Sequence, residues 1–260
     1  MSEHSAVQAI RSGDVPALRR LLASDPALAT ARLDGSRTLL HVATDWPGHF
    51  PNVAETIATL ATAGADVNAP FGADHADHAD RADRADRADR AEHGEHADRG
   101  DNGERGGAYA GHAETPLHWA ASSDDVEALD ALLDADADIE ARGAVIAGGT
   151  ALADAVAFAQ WGAARRLVAR GAAVEPHHAA ALGLLDQVTV SDQGEVDLAF
   201  WYACHGGQLQ VAEQLVERGA TVDWVPPWEP LTPLDAAERH GFTAVAAWLR
   251  SLGAHSYQDL

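Results

Sequence analysis

The chain contains no lysine: all 18 basic residues are arginine, set against 40 acidic residues, for a formal net charge of −22. Such a surface repels nucleic-acid phosphates and anionic membrane faces, so nucleic acid and membrane are both set aside as partners. The missing lysine also removes any phosphate-binding glycine loop that ends in one, and neither HExxH nor GxSxG occurs. A single cysteine, Cys204, excludes an internal disulfide and a cysteine-rich metal site. That usage suits a reducing compartment, and a cytoplasmic location is expected.

Long apolar runs are absent as well. The most apolar window, Ala144 to Ala164, is interrupted by Gly148, Gly149, Thr150, Asp154 and Gln160, whereas a membrane span needs about twenty mostly apolar residues. It reads as a loop followed by a buried helix. Met1 to Gly13 has neither a basic opening nor an apolar stretch, so it does not read as a secretory signal, and the mature chain is expected to start at or near Met1.

What is present is a repeat. Four segments open on variants of one tetrapeptide: Thr38-Leu39-Leu40-His41, Thr115-Pro116-Leu117-His118, Thr150-Ala151-Leu152-Ala153 and Thr232-Pro233-Leu234-Asp235. Each continues into a small, helix-favouring run and then a leucine-rich run that ends at Gly64, Asp136, Gly171 or Gly253. From threonine to stop is 21 residues in three units and 26 in the first, which therefore carries five extra residues. That distance fits two short antiparallel helices with a tight turn between them. The threonine hydroxyl caps the first helix, and proline at the first helical position has no N–H to leave unpaired. A terminating glycine adopts the left-handed conformation without a Cβ clash, and aspartate is tolerated there.

The segments "ETPLHWAAS" from Glu114 and "AGADVNA" from Ala63 resemble the ankyrin repeat family, whose period is about 33 residues. A fifth unit lacks the tetrapeptide but keeps Phe200 at the leucine position, Ala203 and Cys204 at the small positions, and the run Gly207 to Val222. The resemblance implies an all-α fold, an ankyrin-repeat solenoid of stacked helix-turn-helix units with short hairpin fingers, running as one domain over 1–260. Its parts are a capping helix pair at 1–33 and repeats at 34–69, 112–141 and 142–175. An irregular shortened repeat follows at 176–196, then repeats at 197–225 and 226–260. For His41 and His118 it implies imidazoles that hydrogen-bond between adjacent loops.

Residues 70–111 interrupt this pattern with a low-complexity tract of Ala-Asp-Arg and Ala-Asp-His triplets. A three-residue period drifts around a 3.6-residue helix, so no apolar face forms. The i,i+4 pairs Asp80–Arg84, Asp83–Arg87 and Asp86–Arg90 contribute only about 0.2–0.5 kcal/mol each, and a mobile surface loop is expected. His75, His78, His93 and His96 stand as two i,i+3 pairs, which is read as a solvated tract and not as a metal site.

In a helix that begins Thr-Pro-Leu-His, the residue two beyond the leucine points about 200° away from it, toward the inner groove of the stack. Those positions and the ones a turn later include Trp119, Asp154, Tyr202, Trp46, Ser123 and Phe158, with Asp45 and His205 as polar neighbours. An aromatic and acidic strip of this kind suits a protein or peptide segment. By contrast, Trp161, Trp201 and Trp248 are expected to pack between helices. The turn Asp45 to Asn52 reads either as a recognition loop or as a stiff turn whose Trp46 and Phe50 cover a repeat edge. The expected function is a noncatalytic, monomeric module that binds a partner protein or peptide, without cofactor, metal or catalytic residues. The acidic exterior favours a basic or neutral partner. The alternative is a small-molecule sensor or enzyme with Asp154 and His205 as an acid–base pair.

Overall fold

The computed structural model describes residues 2–72, 113–145 and 148–260. The triplet tract, with its four histidines and its Asp–Arg pairs, lies outside the described residues. Among the described residues the structure is helical, with a single isolated β-bridge between Leu33 and Arg37. The chain divides into two compact units, 1–154 and 155–260.

The first unit opens on α1 (Ser2–Ser12) and α2 (Val15–Ser24), then a 3₁₀ turn at Pro26–Thr30. Asp14 caps α2 by accepting from the Ala17 N–H at 2.9 Å, while Leu18 and Leu22 turn inward and Arg19 and Arg20 outward. Two further pairs follow: α3 (Leu39–Thr44) with α4 (Val53–Thr62), and α5 (Pro116–Ser122) with α6 (Val126–Asp134). First helices stack on first helices (α1, α3, α5) and second on second (α2, α4, α6). Each pair buries its leucines between neighbours: Leu39, Leu40 and Leu60 in one, Leu117, Leu129 and Leu132 in the next. α7 (Ala151–Ala157) begins at the end of this unit and runs into the second.

In the second unit α8 (Trp161–Ala169) is followed by α9 (Pro176–Leu182). Where a second helix would follow α9 there is only a 3₁₀ turn, Leu185–Gln187, which accounts for the 48 residues between Gly171 and Gly219. The next first helix, α10 (Gln193–His205), is lengthened to 13 residues and packs along α9. Gly206, just past α10, permits that approach, because a Cβ there would sit 2.0 Å from the Ala181 carbonyl oxygen. α11 (Leu209–Glu217), α12 (Pro233–Arg239) and α13 (Thr243–Ser251) complete the unit around Phe200, Leu215 and Leu249.

The expected stops are in place. Gly64, Gly171, Gly219 and Gly253 have φ between +84° and +99°, and Asp136 takes φ +65° in the one unit without glycine. Left-handed residues at these points let the last carbonyls of each second helix find partners before the chain reverses.

Candidate functional site

The tetrapeptide histidines are structural. His41 Nδ1 accepts from the Thr38 N–H at 3.2 Å, so Nε2 carries the proton and donates to the Glu114 carbonyl at 3.1 Å. His118 repeats this, with Nδ1 accepting from the Thr115 N–H at 3.1 Å and Nε2 donating to Gly149 O at 3.4 Å. Each ring thus closes a helix cap and ties its loop to the next. Burial lowers both imidazoles, His41 to about 4, so both stay neutral.

In the second unit the same position is filled by other chemistry. Trp201 falls where the imidazole would be, and its Nε1–H donates to Leu231 O at 3.0 Å. Asp235 accepts through Oδ2 from the Thr232 N–H at 2.9 Å and the Tyr257 N–H at 2.8 Å. Sequence reasoning missed a further case. Glu175-Pro176-His177-His178 aligns on Thr115-Pro116-Leu117-His118, with His178 at the imidazole position and glutamate in place of threonine. Glu175 makes no side-chain cap, and the buried His178 Nδ1 has no hydrogen-bond partner. Desolvation and the neighbouring His177 push His178 down to about 3.

The five extra residues of the first full repeat form the turn 45–52, which is pinned between the turns of its neighbours. On one side Asn52 Nδ2–H donates to Gly13 O at 2.9 Å. On the other the His49 N–H donates to Asp125 Oδ2 at 2.6 Å. Asp125 is fully buried and also caps α6, its Oδ1 accepting from the Ala128 N–H at 3.0 Å. Gly48 lies against Ser123, at the C-terminal end of α5. Asp45 holds the start of the turn, its Oδ2 3.4 Å from Arg37 Nη1 and 3.7 Å from Arg11 Nη2. From this anchored turn Trp46 projects with 81% of its surface exposed, so it covers no repeat edge, whereas Phe50 is half-buried.

The remaining predicted residues occupy different surroundings. Trp119 is half-buried, its ring 5.0 Å from His41 and 5.4 Å from Phe71. Asp154 is buried in α7, and Phe158, just beyond that helix, is 44% exposed. Tyr202 is only 7% exposed, enclosed by Trp201 at 5.2 Å, His177 at 4.9 Å and His205 at 6.0 Å. His205 is 2% exposed, stacked on Trp201 at 5.1 Å, with Trp161 and His240 edge-on to it. The His205 Nε2–Val156 O distance is 3.0 Å, the Nδ1 atom is unpartnered, and burial lowers the ring to about 4. The structure therefore brings Asp45, Trp46 and Ser123 to one set of stacked turns, and Tyr202 and His205 into one aromatic cluster. Of the tryptophans expected between helices, Trp201 is buried and Trp248 meets Phe200 at 6.4 Å. Cys204 is fully buried, and burial raises its thiol far above the range in which a thiolate forms. Among the described residues no cluster of histidine, cysteine and carboxylate has metal-holding geometry.

The family model of the ankyrin repeat matches residues 112–144. No curated protein matches the chain. Among solved structures, the ankyrin repeat domain of Bcl-3, described as a unique member of the IkappaB protein family, shares 20% identity at a TM-score of 0.47. That alignment spans 96% of this chain and 86% of that one. The matched repeat shares its cap, its inter-loop imidazole and its left-handed stop with the helix pair before it, so this stretch of the chain is similar to the ankyrin repeat.

Proposed function

We propose that this protein is a noncatalytic module that captures a partner protein or peptide, with Trp46 as an anchor. Ankyrin repeats in general serve as protein–protein interaction modules. The observation that carries the reading here is an indole 81% exposed on a turn pinned on both sides. A large apolar side chain gains nothing for folding when left in water, and a rigid exposed aromatic loses little entropy when a partner covers it. Phe158 in the second unit is a further exposed aromatic. The buried Cys204 suits a reducing, cytoplasmic setting, and among the described residues no helix is long and apolar enough to cross a membrane.

The enzyme alternative would need His205 as an acid–base group. Its ring is closed off from solvent and held neutral to about pH 4, far from the poise a general base requires near neutrality.

Affinity capture with the wild type beside Trp46→Ala tests the proposal, with bound proteins identified by mass spectrometry. A protein retained by wild type and lost by the variant is the expected result. Equal recovery by both removes Trp46 as the anchor. Unfolding curves should coincide within about 0.5 kcal/mol, because the side chain touches little.

A further inference from the structure

α9 lacks fastenings that other first helices have. The helices α1, α3, α5, α10 and α12 are each backed by the helix that follows, but behind α9 there is only the 3₁₀ turn Leu185–Gln187. Thr38 and Thr232 cap their helices, whereas Glu175, in the same place, makes no cap. His41 and His118 use both ring nitrogens, on the cap and on the next loop, whereas the buried Nδ1 of His178, in the same register, has no partner. What holds α9 is its packing along α10 and the 3₁₀ turn, and lightly against α8.

That packing is made through imidazoles. The His177 and His178 rings lie 4.1 Å apart, and His177 lies 4.9 Å from Tyr202. Of the three rings that enclose Tyr202, Trp201 and His205 belong to α10 itself, so His177 alone comes from another helix. Few charges stand near the pair. The Glu175 carboxylate is 3.6 Å from His177 Nδ1 and largely in solvent. Tyr202 and, beyond it, His205 face from α10. Asp186 of the 3₁₀ turn and Arg165 of α8 are exposed, and Arg166 of α8 is half-buried. Burial and then His177 lower His178 to about 3, and burial lowers His177 against the pull of Glu175.

We propose that α9 is an acid-released cover over Tyr202, closed on α10 while His177 and His178 are neutral and lifted when they take up protons. In the lifted state both rings are hydrated and titrate as free imidazoles do, near about 6.5. Below that pH the lifted state binds more protons than the closed one, so falling pH favours lifting. For His178 alone the equilibrium moves about eightfold toward the lifted state between pH 7 and pH 5.5. Lifting uncovers the Tyr202 ring on α10, and the device does not involve Trp46.

Amide hydrogen exchange read by mass spectrometry on the full chain tests this, each rate taken relative to the intrinsic rate at its pH. At pH 7 residues 177–184 should be protected about tenfold less than 117–123 in α5, for want of the cap and the imidazole tie. At pH 5.5 that protection should fall about a further eightfold in the wild type, and by less than about twofold in the double variant His177→Leu, His178→Phe. Glu175→Thr, which supplies the missing cap, should raise it about fivefold at both pH values. Equal protection of α9 and α5 at pH 7, an acid loss as large in the double variant as in the wild type, or a loss spread evenly over 155–260 overturns the cover. Trp46→Ala should exchange in α9 as the wild type does, so failure of that anchor and failure of this cover appear in different measurements.

Discussion

The two compact units solve one problem with different side chains. In residues 1–154 the position after Thr-x-Leu is histidine twice, and both rings use both nitrogens, one on a helix cap and one on the next loop. In residues 155–260 that bridge is an indole N–H at Trp201 and a carboxylate at Asp235, while the one histidine in register, His178, keeps Nδ1 unpartnered. His205 and His240 also leave a buried ring nitrogen without a partner. Histidine in the first unit serves the fold. In the second, several histidines gather with tyrosine and tryptophan in a cluster whose hydrogen bonding is incomplete, the usual sign of a region shaped by something besides stability.

Acid should destabilise both units through their buried histidines, by an amount that adds over the groups. Burial holds His41 and His205 at about 4 and His178 at about 3, against about 6.5 in an unfolded chain. Below pH 6.5 the unfolded state binds more protons, so stability is full above that value and falls as pH drops toward the folded values. The slope is about 1.4 kcal/mol per pH unit for each group. Urea unfolding at pH 7 and pH 5 should show His178→Phe losing about 2 kcal/mol less than wild type between the two. The same loss in both would mean that His178 is already hydrated in the folded chain.

Backbone approach sharpens the contrast next. Gly206→Ala drives a methyl into the Ala181 carbonyl, backbone against backbone at the α9–α10 contact, and should cost about 3 kcal/mol or more. Gly64→Ala meets open space and strains only a φ of +95°, for about 1 kcal/mol. Equal costs in thermal unfolding would show that α9 and α10 do not pack as closely as described.

The smaller test concerns the rings themselves. His41→Phe orphans the Thr38 N–H of the cap and should cost about 1–3 kcal/mol. His205→Phe should stay within about 1 kcal/mol, because Val156 O keeps the Ala159 N–H at 3.1 Å. If chemical denaturation gives the two variants equal losses, the distinction between fold histidines and cluster histidines fails.

Much of the site was legible along the chain. Trp46 stood out by sitting in a turn five residues too long. Its rigidity did not, because the pin is Asp125, some eighty residues on, which locally reads as an ordinary N-cap. Tyr202 shares a register position with Trp119, and position alone suggests an open groove for both. Tyr202 is closed off by His177, from a repeat that lost its second helix. The place of His177 beside Tyr202 was illegible for a similar reason, since Glu175-Pro176-His177-His178 hid its kinship with the tetrapeptide by replacing the threonine.

The sequence by itself determined the helix pairs, their caps and their left-handed stops, because those depend on hydrogen bonds and backbone preferences that act within some twenty residues, as at Thr38–His41 and Gly64. Only the tertiary structure decided which aromatic rings face water. Exposure is set by what a neighbouring repeat places over a side chain, and Trp46 is bare while Tyr202 is covered for reasons that lie outside their own repeats.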